Sequence, residues 1–384
     1  MNLFKRIVIW GWRRVCWTIC WFFPINSKKL VITNYFGRGY GDNAKYIAEK
    51  LLESKKDINI IWLVLNDKEA QTLPSGIKAV KYHSFIAIYH LSTAKCWVDN
   101  CRKIAIYKKK KQFYLQTWHG FSLKRIERDV VDNLNPSYAR NAIKDSKKID
   151  LIVSDSKFMS DIYKNSFWYD GEVVEWGAPR NDILINNRKH EEIKEKICKF
   201  FNLKQDSKIV LYAPTFRSNL SLEPYSVDFE RVKKACEQAF GGEFFVLVRL
   251  HPNIMNKSEM LDIYNDYTLN ASVYTDMQEL LAVSDVVISD YSSLMFDFAL
   301  SKKPCFQFCT DIEEYKKDRD LYFSFEELPF ALAVNNDELE KNILTYNEAL
   351  YQEKMDKLFK NAELISNGNA AEKCAELILR ELNA

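Results

Sequence analysis

The stretch VVISDYSSLMFDFALSKKPCFQF, residues 286–308, reads as one complete folding unit. A β-branched run (286–289), a polar turn, an apolar helical run (LMFDFAL) and a second apolar run from Pro304 follow one another as strand, loop, helix and strand. Two strands joined through a helix lie parallel, because a crossover returns the chain to the same end of the sheet. The alternation extends outward in both directions. Strands are expected at 30–36, 58–65, 95–98, 112–117, 151–154 and 173–176, and again at 209–213, 244–250, 272–274, 286–289 and 304–308, with helical periodicity between them. The series restarts after the polar stretch 186–208, which reads as a charged helix followed by a loop, and the chain from 336 to 384 reads as helical. The expected organisation is a basic aromatic segment (1–29), a Rossmann-like domain (30–190) and a second Rossmann-like domain with a helical tail (191–384), the two facing a cleft.

Composition agrees with two cores. A chain of 384 residues exceeds a single domain of roughly 150 residues, and 47% hydrophobic with 28% charged residues excludes disordered, collagen-like and coiled-coil classes. A net charge of +3 gives no global field for nucleic acid, so no nucleic-acid partner is expected. The nine cysteines are odd in number and lack zinc-site spacing, which fits reduced thiols in a cytosolic protein and no metal–thiolate site. Cys305 and Cys309, on an apolar strand, read as small buried thiols.

The N-terminus departs from this average. Four of the nine tryptophans (Trp10, Trp12, Trp17, Trp21) cluster there, and seven basic residues but no acidic one precede Asp42. Arg13 and Arg14 interrupt the apolar run well short of the roughly 20 residues a spanning helix needs. No small-residue cleavage site follows it. A helix lying in the membrane interface would bury tryptophan and phenylalanine and turn its arginines to anionic headgroups. A helix packed on the protein's own core, and a cleaved or fully inserted segment, remain open readings.

Chemistry-bearing residues recur at the C-terminal ends of expected strands, where open parallel sheets place their ligands. The strand ending at Thr117 runs into Trp118, His119 and Gly120, with Lys124 and Arg125 close behind. A histidine on a turn can act as general base toward a hydroxyl, and two cations can hold phosphate charge. A second histidine, His251, follows Arg249, and two residues of that spacing on a strand face the same way, a compact donor pair for a pyrophosphate. Ser292 and Ser293 read as helix caps whose hydroxyls and amides can also take an anion, with Asp297 one turn on and able to reach a sugar or glycerol hydroxyl. Arg180 (GAPRND) and Arg217 (APTFR) add cations at two more strand exits. Near the N-terminus, Gly37-Arg38-Gly39-Tyr40-Gly41 resembles a dinucleotide turn, but GxGxG is not the GxGxxG fingerprint and Arg38 and Tyr40 are bulky where a cofactor would approach. No nicotinamide, flavin or other cofactor is expected, and no acidic cluster suits a two-metal site.

Taken together, NYFGRGYGDNAKYIAEKL (34–51), QTWHGFSLKRI (116–126), GAPRND (177–182), VLYAPTFR (210–217), RLHPN (249–253) and SDYSSLMFDFALSKKPCFQF (289–308) resemble the CDP-glycerol glycerophosphotransferases of teichoic-acid synthesis, in the family's order. The resemblance implies a glycosyltransferase-B-like fold and peripheral association with the cytoplasmic face of the membrane. It also implies transfer of a polyol phosphate from a CDP-alcohol donor to a lipid-linked saccharide or polymer acceptor, with release of CMP. It assigns His119 as the base that activates the acceptor hydroxyl and His251 as a contact to the donor pyrophosphate. Arg180, Pro214, Thr215, Arg217, Arg249, Ser292, Ser293 and Asp297 would bind the donor, joined by Phe121, Ser122, Leu123, Lys124 and Arg125. Phe121-Ser122 replaces the family's common Thr-Pro after His-Gly, and a variable place holds Ala178, so glycerol, ribitol and other polyols stay open. A nucleotide-sugar glycosyltransferase on the same fold and a noncatalytic membrane assembly scaffold are the alternatives.

Overall fold

The structure, a computed structural model, describes residues 3–103, 107–215, 217, 226–250, 263–318 and 320–382, with side chains from residue 11 onward except those of 316–318. His251 lies outside the described residues. The chain forms two compact units: residues 1–119, 127–182 and 369–384 make the first, and residues 120–126 and 183–368 the second.

In the first unit the strands are β1 (Asn26–Thr33), β2 (Asn59–Val64), β3 (Ile77–Lys81), β4 (Ala94–Asp99), β5 (Phe113–Gln116), β6 (Leu151–Ser154) and β7 (Glu172–Glu175). They pair in the order β3-β2-β1-β4-β5-β6-β7, every pair parallel. The second unit holds β8 (Lys208–Tyr212), β9 (Phe244–Val248), β10 (Thr268–Asn270), β11 (Val286–Ser289), β12 (Cys305–Phe308) and β13 (Ala331–Ala333) in the order β10-β9-β8-β11-β12-β13, again all parallel. Each sheet begins in its middle, grows to one side, then reverses. The reversal falls between β1 and β4 in one unit and between β8 and β11 in the other, and such switch points are where loops part to admit a ligand. Central strands such as β6, β11 and β12 are buried at every position because helices cover both faces. These are the two Rossmann-type α/β units that the sequence predicts.

Two strands escape the sequence reading, β3 and β13, and both are sheet edges. β3 (IKAVK) carries two exposed lysines and buries only Val80, the low-apolar composition of a protected edge. The expected strand 272–274 is instead a 3-10 turn, Ala271–Val273, capped by the Asn270 side chain accepting from the Ser272 amide at 3.0 Å. The strand at that place, β10, ends at Asn270.

The chain ends on a helix, Ala370–Leu382, that packs in the first unit against α2 (Asp42–Glu53). Asp182 accepts the helix's first two amides at 3.1 and 2.8 Å, closing the start of the helix from a distant position in the sequence. The N-terminal helix α1 (Leu3–Trp21) packs against the helix Phe85–Thr93. It buries Cys16, Trp17 and Cys20 on one side and exposes Trp12, Val15 and Ile19, spaced as one helical face, followed by Phe22. Thus α1 is apolar on two faces, which is why its apolar residues form no single stripe. Among the described residues no helix is long and apolar enough to cross a membrane. All nine cysteines are buried thiols without disulfides.

Candidate functional site

In the first unit the residues following β1, β4, β5 and β7 converge on His119. Its Nδ1 stands 2.7 Å from the carbonyl oxygen of Asn100. A carbonyl can only accept, so Nδ1 carries the proton and Nε2 keeps its lone pair. Asn100 is itself fixed: its Nδ2 donates to Asn34 Oδ1 at 2.8 Å and its Oδ1 accepts from the Tyr35 amide at 2.9 Å. Burial lowers the pKa of His119 below the ordinary imidazole value, with the Asn100 bond and the charge of Asp42 opposing. The site therefore holds a neutral imidazole of fixed tautomer, the form a general base needs.

Arg180 ties this cluster together from the loop after β7. One guanidinium nitrogen donates both to Asp42 Oδ2 and to the carbonyl oxygen of His119, each at 2.7 Å, and the Arg180 amide donates to Asn43 Oδ1 at 3.0 Å. Tyr35 adds its hydroxyl to Asp42 Oδ2 at 3.1 Å. Burial pushes the Asp42 carboxyl up, but Arg180 and the Asn43 amide outweigh it and hold the pKa below the usual value. The loop carrying Asp42 is strained: Tyr35, Phe36 and Asp42 all have positive φ without being glycine. Gly37, with φ of 96°, lets the loop lie against the end of β2; a β-carbon there would meet the Leu65 amide nitrogen at 3.1 Å. The glycines serve a tight strand-to-helix loop.

In the second unit, the loops after β8 and β11 meet across the switch point. Asp290 accepts from the Thr215 amide at 2.8 Å and from its hydroxyl at 3.0 Å. Arg217 donates to Asp290 at 2.8 Å and grips Asp311 through two bonds of 2.5 and 3.0 Å, so two carboxylates balance its charge. Pro214 is buried between β8 and Thr215. Arg249, after β9, differs in kind. Its guanidinium donates to the carbonyl oxygens of Ala271, Tyr274 and Thr275, which orient it without neutralising it. Burial lowers its pKa to about 10, with Asp276 opposing, so it remains a cation at neutral pH.

Ser292 and Ser293 precede the helix Leu294–Ala299. Contrary to the expected cap, Ser293 forms no capping bond, because its backbone is already helical (φ −63°, ψ −17°). The Ser292 hydroxyl accepts weakly from the Leu294 amide at 3.4 Å. Asp297 is buried and accepts from Gln278 Nε2 at 3.1 Å. The segment after His119 belongs to this unit: Phe121 packs on Phe296 (ring centres 4.6 Å apart) and Phe323, Leu123 is buried, and Ser122 donates to the carbonyl of Lys124 at 2.6 Å. Lys124 forms an antiparallel bridge with Leu321 and sets its ammonium 5.4 Å above the Tyr315 ring, while Arg125 lies over Tyr322.

The structure thus joins His119 to Arg180, and gathers Thr215 with Arg217 and Asp297 with Gln278 in separate networks. Sequence reading misses Asn34, Asp42, Asn43 and Asn100 in the first unit, and Asp290 and Asp311 in the second. The signal available for them was position: each lies on the segment that leaves a strand, Asp42 and Asn43 at the start of the helix after β1, but Asn and Asp there also read as ordinary turn or cap residues.

A family model described as CDP-glycerol:poly(glycerophosphate) glycerophosphotransferase matches residues 15–380. A teichoic acid poly(glycerol phosphate) polymerase of Staphylococcus epidermidis is 31% identical over 93% of this chain and 51% of its own length. The chain spans about half the length of that relative. A teichoic acid glycerol-phosphate transferase of Staphylococcus aureus is 28% identical over 92% of this chain and 94% of its own. The solved wall teichoic acid polymerase TagF superposes with a TM-score of 0.82 at 31% identity, over 94% of this chain and 90% of that one.

Proposed function

This chain belongs to the CDP-glycerol:poly(glycerophosphate) glycerophosphotransferase family, and on that premise we propose that it transfers glycerol phosphate from CDP-glycerol to a hydroxyl of a lipid-linked saccharide or polymer, releasing CMP. The observation that carries the reading is the pinned tautomer of His119, Nδ1 to Asn100 and Nε2 unprotonated. Nε2 takes the proton of the acceptor hydroxyl as its oxygen bonds to the glycerol-bearing phosphorus. The bond from that phosphorus to the bridging oxygen breaks, and CMP leaves with that oxygen. Such a step needs alignment and charge stabilisation more than covalent help from the protein.

Arg249 is the cation proposed for the donor's diphosphate, since carbonyls aim it without cancelling its charge. Thr215, Ser292, Ser293 and Asp297, with His251 and the segment Phe121, Ser122, Leu123, Lys124 and Arg125, complete the proposed donor set. Arg180 and Arg217, both engaged with carboxylates, order the first turn of α2, where Asn43 stands, and the loop that carries Thr215. The exposed face of α1 (Trp12, Val15, Ile19), with Phe22 beyond it and Arg14 beside it, is proposed to rest on an anionic membrane at its cytoplasmic face, where a lipid-linked acceptor resides.

The test is CMP release by the purified chain with CDP-glycerol, CDP-ribitol and a panel of UDP- and GDP-sugars, each with and without a lipid-linked saccharide. Acceptor-dependent CMP from CDP-glycerol supports the reading. Turnover of a nucleotide sugar alone overturns it.

A further inference from the structure

Beneath His119 stands a column of side chains that the proton transfer itself does not use. The imidazole lies on the indole of Trp118, ring centres 4.2 Å apart and planes 27° from parallel. Trp118 has φ of 49°, a left-handed backbone that a bulky residue adopts only when its surroundings hold it there. They do so at every polar atom of its main chain. Its amide donates to Gln116 Oε1 at 2.9 Å, and its carbonyl accepts from Asn43 Nδ2 and Thr117 Oγ1, both at 3.1 Å. The ring meets Phe167 edge to face at 4.7 Å.

Arg102 packs against the same two rings. Its guanidinium carbon lies 5.7 Å from the centre of the Trp118 ring and 4.5 Å from that of Phe167. The group is buried, donating to Glu127 Oε2 at 2.9 Å and to Ser146 Oγ at 2.8 Å, with Asp145 at 3.9 Å. Glu127 balances the guanidinium charge. A second positive charge arising on His119 therefore meets an indole whose neighbouring guanidinium is already paired with a carboxylate.

We propose that Trp118 is a positioning residue for His119, locked by Arg102 so that the imidazole lies flat on the indole and the protonated ring is stabilised by its π-face. The inference rests on the reading of His119 as the base. Neutral imidazole gains orientation from the stack; imidazolium gains a cation–π contact as well. The contact thus favours the state that forms when the acceptor hydroxyl gives up its proton. Among the described residues, the other charged and titratable groups that act on or touch His119 are Asp42, Tyr35 from the loop after β1, Cys101 at 3.9 Å after β4, Glu127, and Arg180 after β7. All remain when Trp118 is replaced.

The experiment titrates the His119 ring by NMR in the full chain labelled at histidine, its signal among the five histidines identified by its loss in His119→Gln. Trp118→Leu is expected to move the His119 titration down by about half to one pH unit, and Trp118→Phe, which keeps a π-face, to restore most of it. Arg102→Lys, which keeps charge but loses the planar fork, is expected to lower kcat about tenfold with donor KM unchanged. Should Trp118→Leu fail to fold, Trp118→Met carries the same expectation. An unmoved or raised His119 titration in the folded Leu or Met variant overturns the proposal. Full turnover in His119→Gln instead overturns the base assignment, while the titration still reports on the stack.

Discussion

The Nδ1 of His119 is bonded to the main-chain oxygen of Asn100, 2.7 Å away, and so the ring presents one defined basic nitrogen. Burial holds the ring's pKa below the ordinary imidazole value of 6.5. A base works only in its unprotonated form, so the rising limb of kcat against pH is expected to fall below pH 6.5. A limb at or above that value contradicts the assignment of this limb to His119.

The Arg180–Asp42 pair is nearly inaccessible to solvent on both sides. Arg180→Gln leaves a buried carboxylate without its guanidinium, and a loss of about 3–5 kcal/mol in unfolding free energy is expected at pH 7. Asp42 is held below its ordinary pKa, so its contribution is complete above the unfolded value of about 3.9 and vanishes as pH falls through the folded one. Denaturant unfolding should show the deficit of Arg180→Gln shrinking below about pH 4. A deficit independent of pH argues against the ion pair as its source.

Asp145 behaves in the opposite sense. Burial raises its pKa to about 7, although Arg102 pulls it back. A carboxyl whose folded pKa is raised favours folding while protonated, and that advantage is lost as pH rises from the unfolded value of about 3.9 through about 7. Asp145→Asn, which imitates the protonated form, should therefore gain stability over the parent as pH rises from 4 to 7, by up to a few kcal/mol, and level off above. Arg102 keeps Glu127 in that variant. A less stable Asp145→Asn protein at pH 8 contradicts this.

Cys16, Trp17 and Cys20 form the buried face of α1, so deleting the helix would uncover the surface they pack on as well as remove the exposed face. Trp12→Ser, Ile19→Ser and Phe22→Ser together spare the buried side. They should cut sedimentation with anionic liposomes severalfold and leave the melting temperature close to the parent's. Unchanged sedimentation would sink the membrane role of this face.

How much of this was legible follows the range of the interactions. The two parallel sheets could be read because β11 and its helix carry their apolar pattern locally, whereas β3 and β13, as edges, carry little of it. His119 and Arg180 stand out by residue type at strand ends. Asp42 and Asn100 do not, because their significance lies in partners from other strands, Arg180 and His119. The same holds for the segment 120–126, whose place in the second unit depends on Lys124 pairing with Leu321, far along the chain. Ser293 shows the limit of local rules: the sequence offers a cap, and the backbone there is already helical.

The most direct test of the central claim compares the parent with His119→Ala in acceptor-dependent CMP release from CDP-glycerol, with circular dichroism and donor binding measured alongside. The account predicts turnover lower by about 10² to 10⁴-fold with fold and donor affinity preserved. Turnover within a few-fold of the parent would remove His119 as the base and, with it, the mechanism proposed here.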